Sequence, residues 1–266
     1  VQPMKLAAME GLYNGKVGQE IVGFGLLDPS KTLNDGKDPF LFDISIPYGL
    51  SILANHDANT FVPGINDLIE GISLTPEGDT IRTESYAERI AIGKRAHEAL
   101  RDFDRAMTDG DTAAMAEARA RLKEDYRYFG YGYLDSPEEA IPPVGMTFYS
   151  FHIMVLAGGY LLLFFILAVI SSARGGRLWE RKWWQWVAIL TIPVVWICSE
   201  AGWVTAEVGR QPWIIEGLMP ARAAISAISA STVQLTFWMF AAVFTALLVA
   251  EVTIMINQIR RGPENH

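Results

Sequence analysis

The chain has 266 residues, of which 50% are hydrophobic and eight are tryptophan, a composition typical of membrane helices joined to a water-exposed part. Its formal charge of −8 is unevenly distributed, since residues 1–144 hold 14 Lys and Arg against 24 Asp and Glu, whereas residues 145–266 hold 8 against 6. An acidic first half argues against nucleic acid as a partner. The single Cys198 excludes a disulfide within the chain, and its apolar surroundings are typical of a buried thiol.

Residues 1–12 are predicted to form a short helix after Pro3. Lys5 and Glu10 are five positions apart, about 140° around a helix, so they do not form a favourable helical ion pair. The simplest interpretation is two solvated charges.

The chain begins without Met and without a basic segment followed by an apolar one, so no signal peptide is predicted. We therefore expect a processed start or a preceding piece of protein.

Residues 13–80 are rich in Gly, Pro, Asn and Asp and lack a helical period, which predicts an ordered but irregular region. His56 and Asp57 are adjacent, but no further ligand stands at a recognisable spacing, so no metal site is predicted there.

A helical hairpin is predicted over 84–108 and 112–129, with Asp111 near the N-cap of the second helix. Both helices carry dense alternating charges, typical of exposed surfaces. His97 lies among such charges and is predicted to be solvated. The tyrosine-rich segment 126–143 is of the kind that lies at a membrane interface.

Three long apolar segments follow, and each exceeds the roughly 20 residues that cross a hydrocarbon core. They cover about 145–172, 183–206 and 232–257. The positive-inside rule places the first connecting loop and the C-terminus in the cytoplasm, and residues 1–144 and 207–231 outside. The basic residues behind this assignment are Arg174, Arg177, Arg181, Lys182, Arg260 and Arg261.

Unusual side chains gather near the outer ends of the first two segments. Glu207 follows Trp203 on one helical face, and Arg210 stands just beyond it. A carboxylate at membrane depth requires a partner, a proton or a metal. Met154 and His152 belong to the same leaflet but point about 200° apart on their helix. Thioether, imidazole and carboxylate are all iron ligands, so the pattern fits a cofactor site. It fits equally well a plain Glu207–Arg210 ion pair that is capped by Trp213 in an interfacial aromatic belt.

Four stretches of the sequence resemble the C-terminal half of subunit I of the cytochrome bd quinol oxidases. The resemblance covers nearly the whole chain, and the Ala-Glu-x-Gly-Arg-Gln-Pro-Trp match is its most specific part. The stretches are Gln2-Pro-Met-Lys-Leu-Ala-Ala-Met-Glu10, similar to the start of the quinol-binding Q loop; Phe151-His-Ile-Met-Val155; Glu200-Ala-Gly-Trp-Val-Thr-Ala-Glu207 with Gly209-Arg-Gln-Pro-Trp213; and Ala250-Glu251 with Arg261-Gly262-Pro263.

The resemblance implies an all-α membrane protein in which three transmembrane helices follow a large, extracytoplasmic and partly helical Q loop over 1–144. It also implies quinol oxidation outside, electron transfer through a low-spin heme b, and reduction of O2 to water at a high-spin pair, heme b and/or heme d, with protons from the cytoplasm. Residue roles follow from the matched positions: Lys5 and Glu10 bind and oxidise quinol, Met154 ligates the low-spin heme iron, Glu207 ligates a high-spin heme iron, Trp203 and Arg210 lie beside the high-spin hemes, and His152 lies near the cofactor.

Two departures from the family bear on this interpretation. The family commonly has Arg at the position of His152, and its usual subunit has further spans, with histidine ligands, before the Q loop. We therefore expect a split subunit whose N-terminal half is a separate polypeptide, together with a subunit II-like protein and a small single-helix subunit, in the lipid of a bacterial or archaeal cytoplasmic membrane. The alternative is a non-catalytic quinone- or heme-binding membrane subunit of another electron-transfer complex.

Overall fold

The computed structural model describes residues 2–74, 79–176 and 178–262. By packing, the chain forms two units, Val1–Ala224 and Ile225–His266. Arg177 and Pro263, which enter the sequence argument, lie outside the described residues. The expected division into an outer region, 1–144, and a membrane domain, 145–266, concerns placement relative to a membrane and stays a prediction.

Helices and short strands alternate before the first long apolar helix. In chain order they are α1 Pro3–Met9, β1 Lys16–Val17, β2 Ile21–Leu27, β3 Phe40–Ile46, α2 Gly49–Asn55, β4 Phe61–Val62, α3 Ile65–Glu70, β5 Ile72–Leu74, β6 Thr80–Arg82, α4 Tyr86–Asp109, α5 Thr112–Asp125, and two 3-10 segments, Tyr126–Tyr133 and Pro137–Ala140. The predicted N-terminal helix and hairpin are both present. The expectation of an irregular region over 13–80 is wrong, because this stretch contains three antiparallel strand pairs, β1 with β4, β2 with β3, and β5 with β6.

The longest pair, the β2–β3 ribbon, has two unlike faces. Phe24 pairs with Ile44 and Leu26 with Phe42, so large apolar side chains share one face and are exposed. Gly25 pairs with Asp43 on the other face, which turns towards the body of the protein. An exposed apolar face of this kind is typical of a surface that contacts another protein or lipid.

The α4–α5 hairpin forms as its capping residues predict. Asp111 accepts hydrogen bonds from the Ala113 and Ala114 backbone N–H groups, both at 3.0 Å. His97 differs from the expected solvated residue, since its Nε2 lies 3.0 Å from the Phe129 carbonyl oxygen. Its ring also packs edge-on against Phe129 and Tyr133. Burial lowers the pKa of His97, while the Phe129 carbonyl acts in the opposite direction.

The hairpin requires glycine where α4 meets the 3-10 segment after α5. A Cβ at Gly93 would overlap backbone atoms of Gly132 and Tyr128. Replacing Gly93 by Ala is expected to lower the free energy of unfolding by about 1–3 kcal/mol, because backbone cannot yield as a side chain does. Thermal unfolding measures this loss. Gly145→Ala is the control, since nothing lies within 4 Å of a Cβ at that helical position, and equal unfolding temperatures for the two variants would contradict the prediction.

A compact apolar core connects α1, α3, α4 and the segment that follows the second long helix. Leu50 and Ile65 are fully buried in it. Trp213 is 7% exposed and packs against Tyr131 with ring centroids 4.9 Å apart. Trp213 is therefore a core residue and does not cap an ion pair in an aromatic belt as expected. Tyr131 likewise lies in this core.

Three long helices follow the predicted spans closely, and all are long and apolar enough to cross a membrane. Helix α6 is Val144–Ala173, helix α7 is Lys182–Val208 and helix α8 is Ala230–Arg261. Helices α6 and α7 pack on each other, whereas α8 belongs to the second unit. The described residues are mostly helical, which confirms the predicted fold class. The remaining elements are β7 Trp213–Ile215, β8 Met219–Pro220 and a 3-10 turn Ala221–Ala223.

Candidate functional site

The start of α6 and the end of α7 are joined by polar contacts. Thr205 donates to the Ser150 hydroxyl at 2.9 Å, deep in the contact between the helices. Further along, the Cys198 thiol approaches the Met154 carbonyl oxygen at 3.5 Å. These contacts align the two antiparallel helices so that Met154 and Glu207 belong to the same end of the pair.

Met154 turns towards α7. A Cβ built on Gly202 would lie 3.1 Å from the Met154 sulfur, so the thioether rests against bare backbone. His152 turns to another side of α6, as the predicted 200° separation requires. The two side chains therefore do not converge on one ligand position.

Glu207 is paired with Arg210 across one helical turn. The Arg210 Nη2 lies 2.5 Å from both carboxylate oxygens, and the two side chains are 45% and 37% exposed. Such a half-exposed pair contributes at most about 1 kcal/mol. Trp203 stands 63% exposed on α7, which leaves an open aromatic surface on the same helix. The pair expected from the sequence is present, and it leaves room for a further partner.

The donor types at this end of α6 and α7 fit an iron cofactor. A thioether and a carboxylate both ligate iron, and an arginine can neutralise a carboxylate or a propionate. Within residues 2–74, 79–176 and 178–262, no group of three or more His, Cys, Asp or Glu side chains could hold a metal ion. That Met154 and Glu207 each ligate an iron stays a prediction.

Lys5 reaches the end of α7. Its ammonium donates to the Ala206 carbonyl oxygen at 3.4 Å, next to Glu207 in the chain. A Cβ at Gly209 would lie 3.1 Å from Lys5 Cε, so the lysine stem lies close to the backbone there. A cation at a helix C-terminus is favourable because the last carbonyl groups carry partial negative charge.

Glu10 is 3% exposed, so the expectation of a solvated charge is wrong for this residue. Its Oε2 accepts a hydrogen bond from the Val22 N–H at 3.2 Å, and its buried Oε1 has no partner among the described residues. Burial raises the pKa of the Glu10 carboxyl, while the Val22 N–H and the nearby His152 act in the opposite direction.

Glu10 also lines an open cavity of about 490 Å³ between α1 and the β2–β3 ribbon. The polar face of the ribbon contributes Asp43 and Ser45 to its wall, and the loop before β3 contributes Lys37. Lys5 does not line this cavity. The two residues that the resemblance assigns to quinol thus extend in different directions from one short helix.

His152 is held by two carbonyl oxygens. Its Nδ1 lies 2.9 Å from the Phe148 oxygen and its Nε2 lies 2.8 Å from the Val22 oxygen. A carbonyl oxygen only accepts, so a ring nitrogen makes a hydrogen bond here where it carries a hydrogen. Arginine, the residue the resemblance leads one to expect at this position, carries only donors on its head group.

The sequence argument missed Val22 and the β2–β3 ribbon. Alternating and β-branched residues in Ile21–Leu27 and Phe40–Ile46 were a usable strand signal. The two glycines in β2 and the long connection to β3 weakened it, since neither a two-residue turn nor a continuous pattern is present.

The fold and this site define a class of protein: a membrane protein with three membrane-capable helices, whose first half packs onto the start of the first of these helices and the end of the second. The family model described as Cytochrome bd terminal oxidase subunit I matches residues 1–263. The chain belongs to this family.

Relatives agree with this assignment. The chain is 31% identical to the Escherichia coli (strain K12) Cytochrome bd-II ubiquinol oxidase subunit 1 over 268 residues, covering 99% of this chain and 49% of the relative. It is 33% identical to the Bacillus subtilis (strain 168) Cytochrome bd ubiquinol oxidase subunit 1 over 126 residues, covering 47% of this chain and 27% of the relative. The solved structure of the bd oxidase from Geobacillus thermodenitrificans matches with a TM-score of 0.58 and 24% identity, covering 98% of this chain and 43% of that one. The chain thus spans at most about half the length of these relatives.

Proposed function

We propose that this chain is one part of a bd-type terminal oxidase that oxidises quinol at its outer side and reduces O2 to water at hemes within the membrane. One observation supports this most directly. The two residues assigned to quinol are each linked to a helix that carries a proposed heme ligand: Lys5 bonds to Ala206, beside Glu207, and Glu10 is linked through Val22 to His152, two residues from Met154.

Within this proposal the residues have separate roles. The carboxylate of Glu10, which lines the adjacent cavity and whose buried Oε1 has no partner among the described residues, accepts a hydrogen bond and then a proton from a quinol hydroxyl. Lys5, which does not line that cavity, fixes α1 on the end of α7, and its assignment to quinol rests on the resemblance. Met154 would hold a low-spin heme b, Glu207 would hold a high-spin heme of b or d type, Arg210 would balance the charge, and Trp203 would lie beside the high-spin hemes. Heme bound there would supply electron transfer and the reduction of O2.

The rest of the oxidase comes from other polypeptides. We infer a partner that carries the N-terminal half of subunit I with its histidine ligands, a subunit II-like protein and a small single-helix subunit. This is consistent with a chain that covers 49% of a relative named as subunit 1. Residues 1–144 would face the outside of a bacterial or archaeal cytoplasmic membrane and the C-terminus the cytoplasm.

The test is purification of the membrane complex from its native source through a tag on this chain. The expected result is co-purification of a polypeptide with the missing spans, a reduced-minus-oxidised heme spectrum, and oxygen uptake driven by added quinol. The alternative is a non-catalytic subunit, which the self-sufficient Glu207–Arg210 pair favours. A complex without heme, or one with heme that consumes no oxygen, would establish that alternative.

A pH-dependent stability is expected from Glu10. Its pKa is raised by burial, so the folded chain keeps the carboxyl proton to higher pH than the unfolded chain does. Stability from this group is full below the ordinary carboxyl pKa and is lost as pH rises through the raised value. Glu10→Gln cannot ionise, so its unfolding temperature should exceed that of the unaltered complex more at pH 8 than at pH 5. Glu20→Gln is the control, because Glu20 belongs to an exposed ion pair, and its effect on the unfolding temperature should be the same at pH 5 and pH 8. If the unfolding temperature of Glu10→Gln differs from that of the unaltered complex by the same amount at both pH values, the prediction is contradicted.

A further inference from the structure

Two side chains from different helices bind both backbone groups of one ribbon residue. The Val22 N–H donates to Glu10 Oε2 at 3.2 Å, and the Val22 carbonyl oxygen lies 2.8 Å from His152 Nε2. Val22, Glu10 and His152 are all buried. The register of the β2–β3 ribbon shifts immediately after Val22, so the ordinary ladder is interrupted there.

The arrangement satisfies groups that would otherwise be unpaired in the interior. Val22 pairs with Ser45 across the ribbon, while its own N–H and C=O bond to Glu10 and His152. Glu10 and His152 take the place of a neighbouring strand. Losing either side chain leaves a buried backbone group without a partner, which is more damaging than losing an exposed hydrogen bond.

The ribbon is attached to α6 at a second point as well. The Leu27 N–H donates to the Tyr149 hydroxyl at 3.0 Å. Phe40 also packs on Phe148 with ring centroids 5.5 Å apart. The β2–β3 ribbon, which forms one wall of the Glu10 cavity, is thereby held against the first turns of α6, and the hydrogen bond of His152 to the Val22 carbonyl is one of these contacts.

We propose that His152 is a positioning residue for Glu10, acting through Val22. The imidazole holds the Val22 peptide in place, and the Val22 N–H holds one carboxylate oxygen, which keeps the Glu10 carboxylate at the wall of the cavity. The positioning of Glu10 for a substrate rests on the proposed quinol function. The anchoring of β2 by His152 does not depend on that function. His152 and Glu10 bond to opposite backbone groups of Val22, so the positional effect of His152 on Glu10 passes through that residue.

The experiment uses the intact membrane complex with two readouts. Hydrogen exchange of the peptide over 19–27 reports how firmly β2 is held, and steady-state kinetics with a soluble quinol report KM and kcat. In His152→Ala the exchange of this peptide should become about ten-fold faster, because a buried carbonyl has lost its donor. KM for quinol should rise about ten-fold with little change in kcat, since only a fraction of the complexes then has Glu10 in place.

Three further variants make the result specific. His152→Arg keeps N–H donors at this position and should restore both exchange and KM. His152→Gln keeps a single donor nitrogen on a shorter head group, should give intermediate values, and serves if the alanine variant does not assemble. His97→Ala is the matched control, because His97 also bonds a backbone carbonyl and packs on aromatic rings, but in the α4–α5 hairpin; it should leave the 19–27 peptide and KM unchanged.

Each outcome decides the proposal. Unchanged exchange in His152→Ala overturns the hold on β2, and faster exchange with unchanged KM overturns the positioning of Glu10. An arginine variant that behaves like alanine shows that ring packing on Phe148 matters instead of donation, and overturns it too. If the unaltered complex oxidises no quinol, the proposed function fails and the positioning of a substrate group falls with it, while the exchange data still decide whether His152 holds β2.

Discussion

Replacing Glu207 by Gln is expected to reduce quinol-driven oxygen consumption at least about 100-fold, because even the outer partners of metal ligands are worth 10- to 100-fold. The high-spin heme absorbance should be lost or shifted, whereas KM for quinol should stay unchanged. Stability should change by at most about 1 kcal/mol, since the Glu207–Arg210 pair is half exposed and the amide oxygen can still accept from Arg210. The combination of a large loss of activity with a small loss of stability distinguishes an iron ligand from a structural ion pair.

Glu200→Gln is the matched control for this experiment. Glu200 lies on the same face of α7, two turns earlier, and is also exposed. Its substitution should leave oxygen consumption within about two-fold and the heme spectrum unchanged, as for a surface change away from a site. Retained oxygen consumption in Glu207→Gln would show that the ion pair with Arg210 alone accounts for the carboxylate at this position and that Glu207 does not ligate iron.

The long elements could be predicted from the sequence because their signals are local. The three spans were bounded within about four residues, since an apolar run of more than 20 residues is unambiguous. Asp111 was recognised as a cap because capping involves only the next three residues. In each case the residues that determine the structure are neighbours in the chain.

The contacts around Glu10 could not be predicted in this way. Glu10 and Val22 are twelve residues apart, and His152 and Val22 are 130 apart, so neither pairing leaves a local pattern. Both contacts also end on backbone atoms, which every residue carries. The burial of Glu10 and its hydrogen bond to Val22 could therefore be found only from the structure.

Resemblance and structure contribute different parts of the site. The family match gives Met154 and Glu207 their proposed roles, and the structure adds which elements hold them. The contact between α6 and α7 aligns the two proposed ligands, Lys5 connects α1 to α7, and Glu10 is linked to α6 through Val22. Substitutions in α1 are therefore expected to act on quinol and on heme properties together, unlike substitutions in the α4–α5 hairpin.

Replacing Met154 by Leu is expected to abolish the low-spin heme signal in the reduced-minus-oxidised spectrum and to stop electron transfer from quinol to oxygen. Leucine nearly conserves the side-chain volume, so stability should fall by less than about 1.5 kcal/mol. Met154→Ala would also remove packing against Gly202, and so the leucine variant separates ligation from packing more cleanly.

Met154→His provides the complementary arm, because imidazole also ligates heme iron. This variant should keep a low-spin heme, but with a lower reduction potential, since thioether ligation raises the potential. Met146→Leu on the same helix is the control: Met146 is 57% exposed, and its substitution should leave the spectrum unchanged. An unaltered low-spin spectrum in Met154→Leu would remove Met154 from the ligand set. If Met154 served only to fill space in the packing, the low-spin heme spectrum could not be lost in the leucine variant and regained, at a shifted potential, in the histidine variant.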